Sequence, residues 1–157
     1  MDKFIYTLVK SCLILLFILS TPTFVFAQAG SPYPDDEAAF MAQANRLYQN
    51  RDYKRYMEML TTGVQRGYAQ AEGDLGAIYM TTPGKDGKVR YDLAVKLFTR
   101  SANKGNATSM YMLATCYRGG LGVAPSMELY RHWMRRAAKA GSVEAQRACQ
   151  DENLACW

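Results

Sequence analysis

Three segments of the chain align without a gap: YKRYMEMLTTGVQRG (53–67), YDLAVKLFTRSANKG (91–105) and MELYRHWMRRAAKAG (127–141). Each closes on a glycine, and Gly67, Gly105 and Gly141 stand 38 and then 36 residues apart. The stretches after these glycines match as well: AQAEGDLGAIY (69–79), ATSMYMLATCY (107–117) and VEAQRAC (143–149). Self-similarity at this period means stacked supersecondary units, each burying its apolar face only against the next copy. Such units generally present a surface to another macromolecule instead of building a catalytic pocket.

The period within each unit is helical. Ala107, Met110, Leu113, Ala114 and Tyr117 fall on one stripe of a helix, and Tyr130, Trp133, Met134, Ala137 and Ala138 form another. Arg131, Arg135 and Lys139 line the face opposite the second stripe. Between the two lies RGGLGVAPS (118–126), whose glycines permit a left-handed helix end and whose Ser126 stands at an N-cap position. Each unit reads as helix, glycine-bearing loop, helix and tight turn. Because no segment carries strand alternation, the expected fold is all-α. Alanines at 69, 71, 102, 107, 114, 137, 138 and 145 mark close helix contacts, and the pairs Leu75/Leu113, Leu97/Trp133 and Tyr79/Tyr117 fill what remains.

The N-terminus has a different character. Lys3 and Lys10 precede the apolar run Leu13–Leu19, Thr21-Pro22 interrupts it, and Val25 and Ala27 supply small residues before Gln28. This is the pattern of a secretory signal peptide spanning 1–27, cleaved after Ala27, and the run is too short to cross a bilayer. The expected mature protein is periplasmic or secreted, and Pro- and Gly-rich residues 28–36 form a flexible leader. A net charge of +5 favours solubility and biases the chain towards acidic partners without indicating nucleic acid.

Leu113, Tyr117, Gly120, Gly122, Val123, Trp133, Arg136, Ala137, Ala138, Gly141 and Ala145 match the signature of the Sel-one-like repeat (SLR) family, a branch of the tetratricopeptide superfamily. The preceding copy resembles it at Leu75, Gly76, Tyr79, Ala94, Ala102 and Gly105, with a longer loop at 80–90. The resemblance covers 67–148. It implies a right-handed α-solenoid of about three helix-turn-helix repeats, used for protein–protein contact. The expected organisation is a degenerate capping hairpin at 37–66, repeats at 67–104 and 105–140, and a C-terminal capping helix and tail at 141–157.

Catalytic constellations do not emerge. His132 lies among arginines without a second ligand at helical spacing, and no GxSxG, HExxH or phosphate-loop pattern occurs. Methionines sit beside Tyr or Leu on apolar stripes, as core packing requires. No cofactor and no metal is expected. After signal removal the cysteines are Cys116, Cys149 and Cys156. In an oxidising compartment two of the three pair. Relatives in the SLR family often keep a buried free cysteine at the place of Cys116. On one continuous helix Cys149 and Cys156 stand about 10 Å apart, so a bridge between them requires the helix to end near Asn153; pairing with Cys116 stays open. Two basic clusters, Arg46/Arg51/Lys54/Arg55 and Arg131/Arg135/Arg136/Lys139, read as solvated outer faces or as a rim for an acidic protein.

The functional expectation is a monomeric, non-enzymatic periplasmic adaptor that binds a protein or peptide on the concave face. First-helix residues Tyr68, Glu72, Tyr79, Ser109, Met112 and Arg118 are the expected exposed contacts. The resemblance carries two further expectations: an immunity protein that neutralises a periplasm-targeted toxin, and, remotely, a β-lactam-binding or hydrolysing protein. The last is disfavoured because no regular cysteine pair recurs in each repeat.

Overall fold

The computed structural model describes residues 32–152 and Leu154. The signal segment 1–27 and Cys156 therefore lie outside the described residues. The chain divides at Asp35/Asp36; of the first unit only residues 32–35 are described, without helix or strand. The second unit holds seven helices among the described residues and no strand. They are α1 (Glu37–Gln49), α2 (Tyr53–Arg66), α3 (Ala69–Thr81), α4 (Tyr91–Asn103), α5 (Ala107–Gly119), α6 (Met127–Lys139) and α7 (Val143–Asp151). Each helix packs on the next along the chain, giving an α-solenoid of three hairpins and a final helix.

Short polar side chains set where the helices begin. Asp36, Asp52, Asn106, Ser126 and Ser142 each accept a hydrogen bond from the backbone N–H three residues on. A cap of this kind stabilises by about 1 kcal/mol. Helix α3 begins at Tyr68 without such a cap. Instead, the N–H of Gln70 donates to Glu37 Oε1 at 2.9 Å, so α1 satisfies a free donor of α3 and fixes the spacing of these two first helices.

Residues of the repeat signature divide between packing and turning. Leu75, Gly76, Ala94, Ala102, Leu113, Trp133, Ala137 and Ala138 are buried, and Tyr79 and Tyr117 are half-buried against the same core. Burying a side chain such as Phe98, Leu113 or Met134 stabilises by roughly 1.5–3 kcal/mol. Gly105, Gly120, Gly122 and Gly141 have positive φ. At Gly122 the requirement is double: φ is +72°, and a Cβ there would lie 2.5 Å from the backbone of Tyr91. The loop after α5 thus rests directly on the start of α4, which locks one hairpin to the previous one.

Helices α3, α4 and α5 meet at a second close approach, where a Cβ on Gly73 would lie 2.6 Å from Ser109 Oγ. Ser101 Oγ donates to the Ala69 carbonyl at 2.6 Å and lies 2.7 Å from Ser109 Oγ. With its one proton committed to Ala69, Ser101 accepts from Ser109.

At the C-terminus α7 stops at Asp151, and the N–H of Leu154 donates to the Cys149 carbonyl at 3.0 Å. Arg118 pairs with Glu152 Oε1 at 2.6 Å, and the Tyr130 hydroxyl donates to Glu152 Oε2 at 2.8 Å. Burial and the neighbouring Glu152 push the Tyr130 phenol up to about 12, so it remains a donor. Residues from α5 and α6 thereby hold the end of α7. Cys116 is a buried free thiol, whereas Cys149 is buried and not free.

Candidate functional site

A groove opens where α1 and α3 run side by side, with Tyr56 of α2 at its base. One part, about 390 Å³, is walled by Tyr48, Tyr53, Tyr56, Met57, Ile78 and Thr81. A second part, about 420 Å³, shares Tyr48, Tyr56, Ile78 and Thr81 and continues along Asn45, Gln70 and Asp74. The local sequence explains the placement. Gln70, Asp74, Ile78 and Thr81 recur at helical spacing on the face of α3 away from buried Ala71 and Leu75. Tyr48 and Tyr53 flank the turn at Asn50–Asp52, where Arg51 takes φ 59°, and this tight reversal folds the two rings onto one another.

The aromatic wall is a connected cluster. Rings of Tyr48 and Tyr53 meet edge-on at 5.8 Å, and those of Tyr48 and Tyr56 lie 5.3 Å apart at 56°. Tyr48 and Tyr53 are 55% and 54% exposed, unusual for large aromatics, while Tyr56 is buried. Asp74 Oδ1 accepts from Gln70 Nε2 at 2.8 Å. Burial holds the Asp74 carboxyl above the ordinary carboxylate range, against the opposing effect of the Gln70 hydrogen bond. Tyr56 is pushed up to about 12, first by burial and then by the nearby charge of Asp74 and by Tyr48. The groove therefore offers flat apolar faces, one desolvated carboxylate and no reactive nucleophile. Among the described residues no three His, Cys, Asp or Glu side chains converge as a metal site would require.

The six residues expected as exposed contacts do not converge on this groove, and two are corrected outright. Glu72 is fully buried, its Oε1 held by Arg100 at 2.6 Å and Lys104 at 2.8 Å, both on α4 or its C-terminal cap. Ser109 is buried as well, committed to Ser101. The physical reason is the same for both. The α3 and α5 faces carrying these side chains turn into α4, where a carboxylate and a hydroxyl find internal partners. Tyr68 is half-buried with its ring edge-on to Phe40 at 5.1 Å. Tyr79 and Met112 pack partly buried against the core. Arg118 is exposed but engaged by Glu152.

Two segments, 69–106 and 107–142, match the family model described as Sel1 repeat. Their starts coincide with α3 and α5. The fold agrees with solved structures of the same kind. A Sel1 repeat protein from Oxalobacter formigenes is 27% identical, with TM-score 0.62 over 74% of this chain and 89% of that one. A protective antigen of uropathogenic Escherichia coli displaying an SLR fold is 23% identical, with TM-score 0.62 over 75% of this chain and 26% of its own length. The chain carries two Sel1 repeats. No curated protein sequence matches it significantly.

Sel1 repeats generally mediate protein–protein interaction and typically serve as non-catalytic scaffolds. In this chain the groove straddles the first matched repeat and the hairpin before it: Gln70, Asp74, Ile78 and Thr81 lie within 69–106, whereas the tyrosines lie in α1 and α2. From the sequence, residues 37–66 read only as a capping hairpin, with no contact residue placed in them. The available signal was the concentration of Tyr48, Tyr53 and Tyr56 around one turn, opposite a polar stripe on the next helix.

Proposed function

We propose that this protein is an exported, non-enzymatic interaction module whose docking surface is the α1–α3 groove. The observation that carries the reading is the pair of half-exposed tyrosines, Tyr48 and Tyr53, packed on each other beside an open cavity. Tyrosine supplies large contact area at low conformational cost and is enriched where proteins bind one another. The groove lies between successive first helices, the arrangement that a solenoid offers to an extended segment of a partner.

Export is the second part of the proposal, with signal cleavage after Ala27 and a Cys149–Cys156 bridge closing the C-terminal cap. Support for the bridge comes from the early end of α7 at Asp151 and from Cys116 remaining free. N-terminal sequencing of the protein from the cell envelope, with non-reducing peptide mapping, tests both points. A retained residue 1 or a bridge to Cys116 refutes the corresponding part.

The docking reading is tested with a photo-crosslinking phenylalanine analogue, placed in living cells either at Thr82 beside the groove or at Arg135 on the exposed face of α6. A discrete adduct from position 82 and none from 135 is expected. Equal adducts at both positions, or none at either, would overturn the groove as the docking surface.

A further inference from the structure

Resting on the reading of the groove as a docking surface, we propose that it receives a lysine or arginine side chain from an extended segment of a partner protein. The tyrosine rings would embrace the cation and its stem while Asp74 supplies the counter-charge.

Charge distribution is the first argument. The chain has 19 Lys and Arg residues against 14 Asp and Glu, yet none of the residues lining either part of the groove is basic. Asp74 is the acidic side chain on those walls. Four other carboxylates of this unit are paired with cations: Glu72 with Arg100 and Lys104, Asp86 with Arg90, Asp52 with Arg55 and Glu152 with Arg118. Asp74 accepts one hydrogen bond, from the uncharged Gln70, and no cation pairs with it among the described residues. Burial without a counter-ion disfavours its charged form. The groups facing it are Gln70 on its own helix and Tyr56, with Tyr48 beyond, so nothing on the neighbouring elements offsets that charge.

Aromatic geometry is the second argument. Tyr48, Tyr53 and Tyr56 present tilted and edge-on rings, with Tyr48 within 6 Å of each of the other two, and all three line the same cavity as Ile78 and Thr81. A cation held over such faces is attracted by the ring quadrupole, more strongly as water is excluded. Elsewhere the chain shows this preference internally, with Arg136 4.5 Å from the Trp133 ring and Arg118 5.4 Å from the Tyr130 ring. Among possible occupants, an acidic segment would meet Asp74 without any basic partner. A wholly apolar one would desolvate Asp74 further and leave it unpaired. A cationic side chain satisfies both the carboxylate and the rings.

The test uses the full-length protein and four fluorescein-labelled nonapeptide pools, randomised except for a central Arg, Lys, Gln or Glu, read by fluorescence anisotropy. The Arg and Lys pools are expected to bind at least tenfold more tightly than the Gln pool, with the Glu pool weakest. Asp74→Asn should remove at least tenfold from the Arg pool and bring it level with Gln, and Tyr48→Ala should weaken it several-fold. Circular dichroism establishes that both variants are folded. Equal binding of all four pools, with adducts still forming at position 82, would overturn the cation proposal and leave the docking surface standing. An Arg preference that survives Asp74→Asn would place the cation elsewhere and also overturn it. Binding of no pool, with no adduct at position 82, would remove both readings.

Discussion

Replacing Glu72 by methionine should stabilise the protein, although the substitution deletes two short ion pairs. Glu72 is fully buried, and only its Oε1 is used, by Arg100 and Lys104; Oε2 has no hydrogen-bond partner. A buried acceptor left unsatisfied costs about 1–3 kcal/mol. The cations are not buried: their side chains are 53% and 38% exposed, so after the substitution they return to water at little cost. Lys104 also keeps its bond to the Gly67 carbonyl at 2.7 Å. Pairs of this partly exposed kind contribute about 0–1 kcal/mol each. The next repeat supplies the control, because Met110 occupies the equivalent position 38 residues on and is buried. Glu72→Met should therefore gain about 1–2 kcal/mol, in line with other buried ion pairs replaced by apolar groups of similar volume. Glu72→Ala loses the same charges but also leaves a cavity, and should fall about 2–4 kcal/mol below the methionine variant. Urea unfolding monitored by circular dichroism reads both, with an unchanged m-value as the condition for comparison. A Glu72→Met variant more than about 1 kcal/mol less stable than wild type would refute the reasoning, since it would show the charges to be net stabilising.

Asp74→Asn should raise the melting temperature at pH 7. The folded protein holds this carboxyl above its ordinary value, so the stability it permits is present below the unfolded pKa and lost as pH rises through the folded one. The gain should vanish as pH falls below the carboxylate range, and a melting series across pH checks it. Gly122→Ala should cost about 2–4 kcal/mol, combining a left-handed backbone with a 2.5 Å approach to Tyr91, again read by urea unfolding. Cys116, pushed up to about 11 by burial, should resist a thiol reagent such as dithiobis-nitrobenzoate in the native state and react fully in denaturant.

The repeat spacing and the helical stripes set the all-α class, the helix pairing and most of the core from local information. Trp133, Met134, Ala137 and Ala138 point inward because 3.6-residue geometry places them on one face, and Ser126 caps α6 because its side chain needs only a donor three residues away. These features require no knowledge of distant neighbours, so they are legible in a single chain. The groove is not. Glu72 and Asp74 are two residues apart on α3 and equally acidic in sequence, yet one is buried against two cations from α4 and its cap and the other borders an open cavity without one. Which fate each meets depends on the rotation of α3 between α1 and α4, set by the Gln70–Glu37 bond on one side and the close approach at Gly73 on the other. Tyr48, Tyr53 and Tyr56 likewise form one wall only because the turn at Arg51 folds α2 back onto α1. Periodicity says which face of a helix is apolar; the neighbours that arrive from elsewhere in the chain decide which polar residues are satisfied within the fold and which border an open cavity.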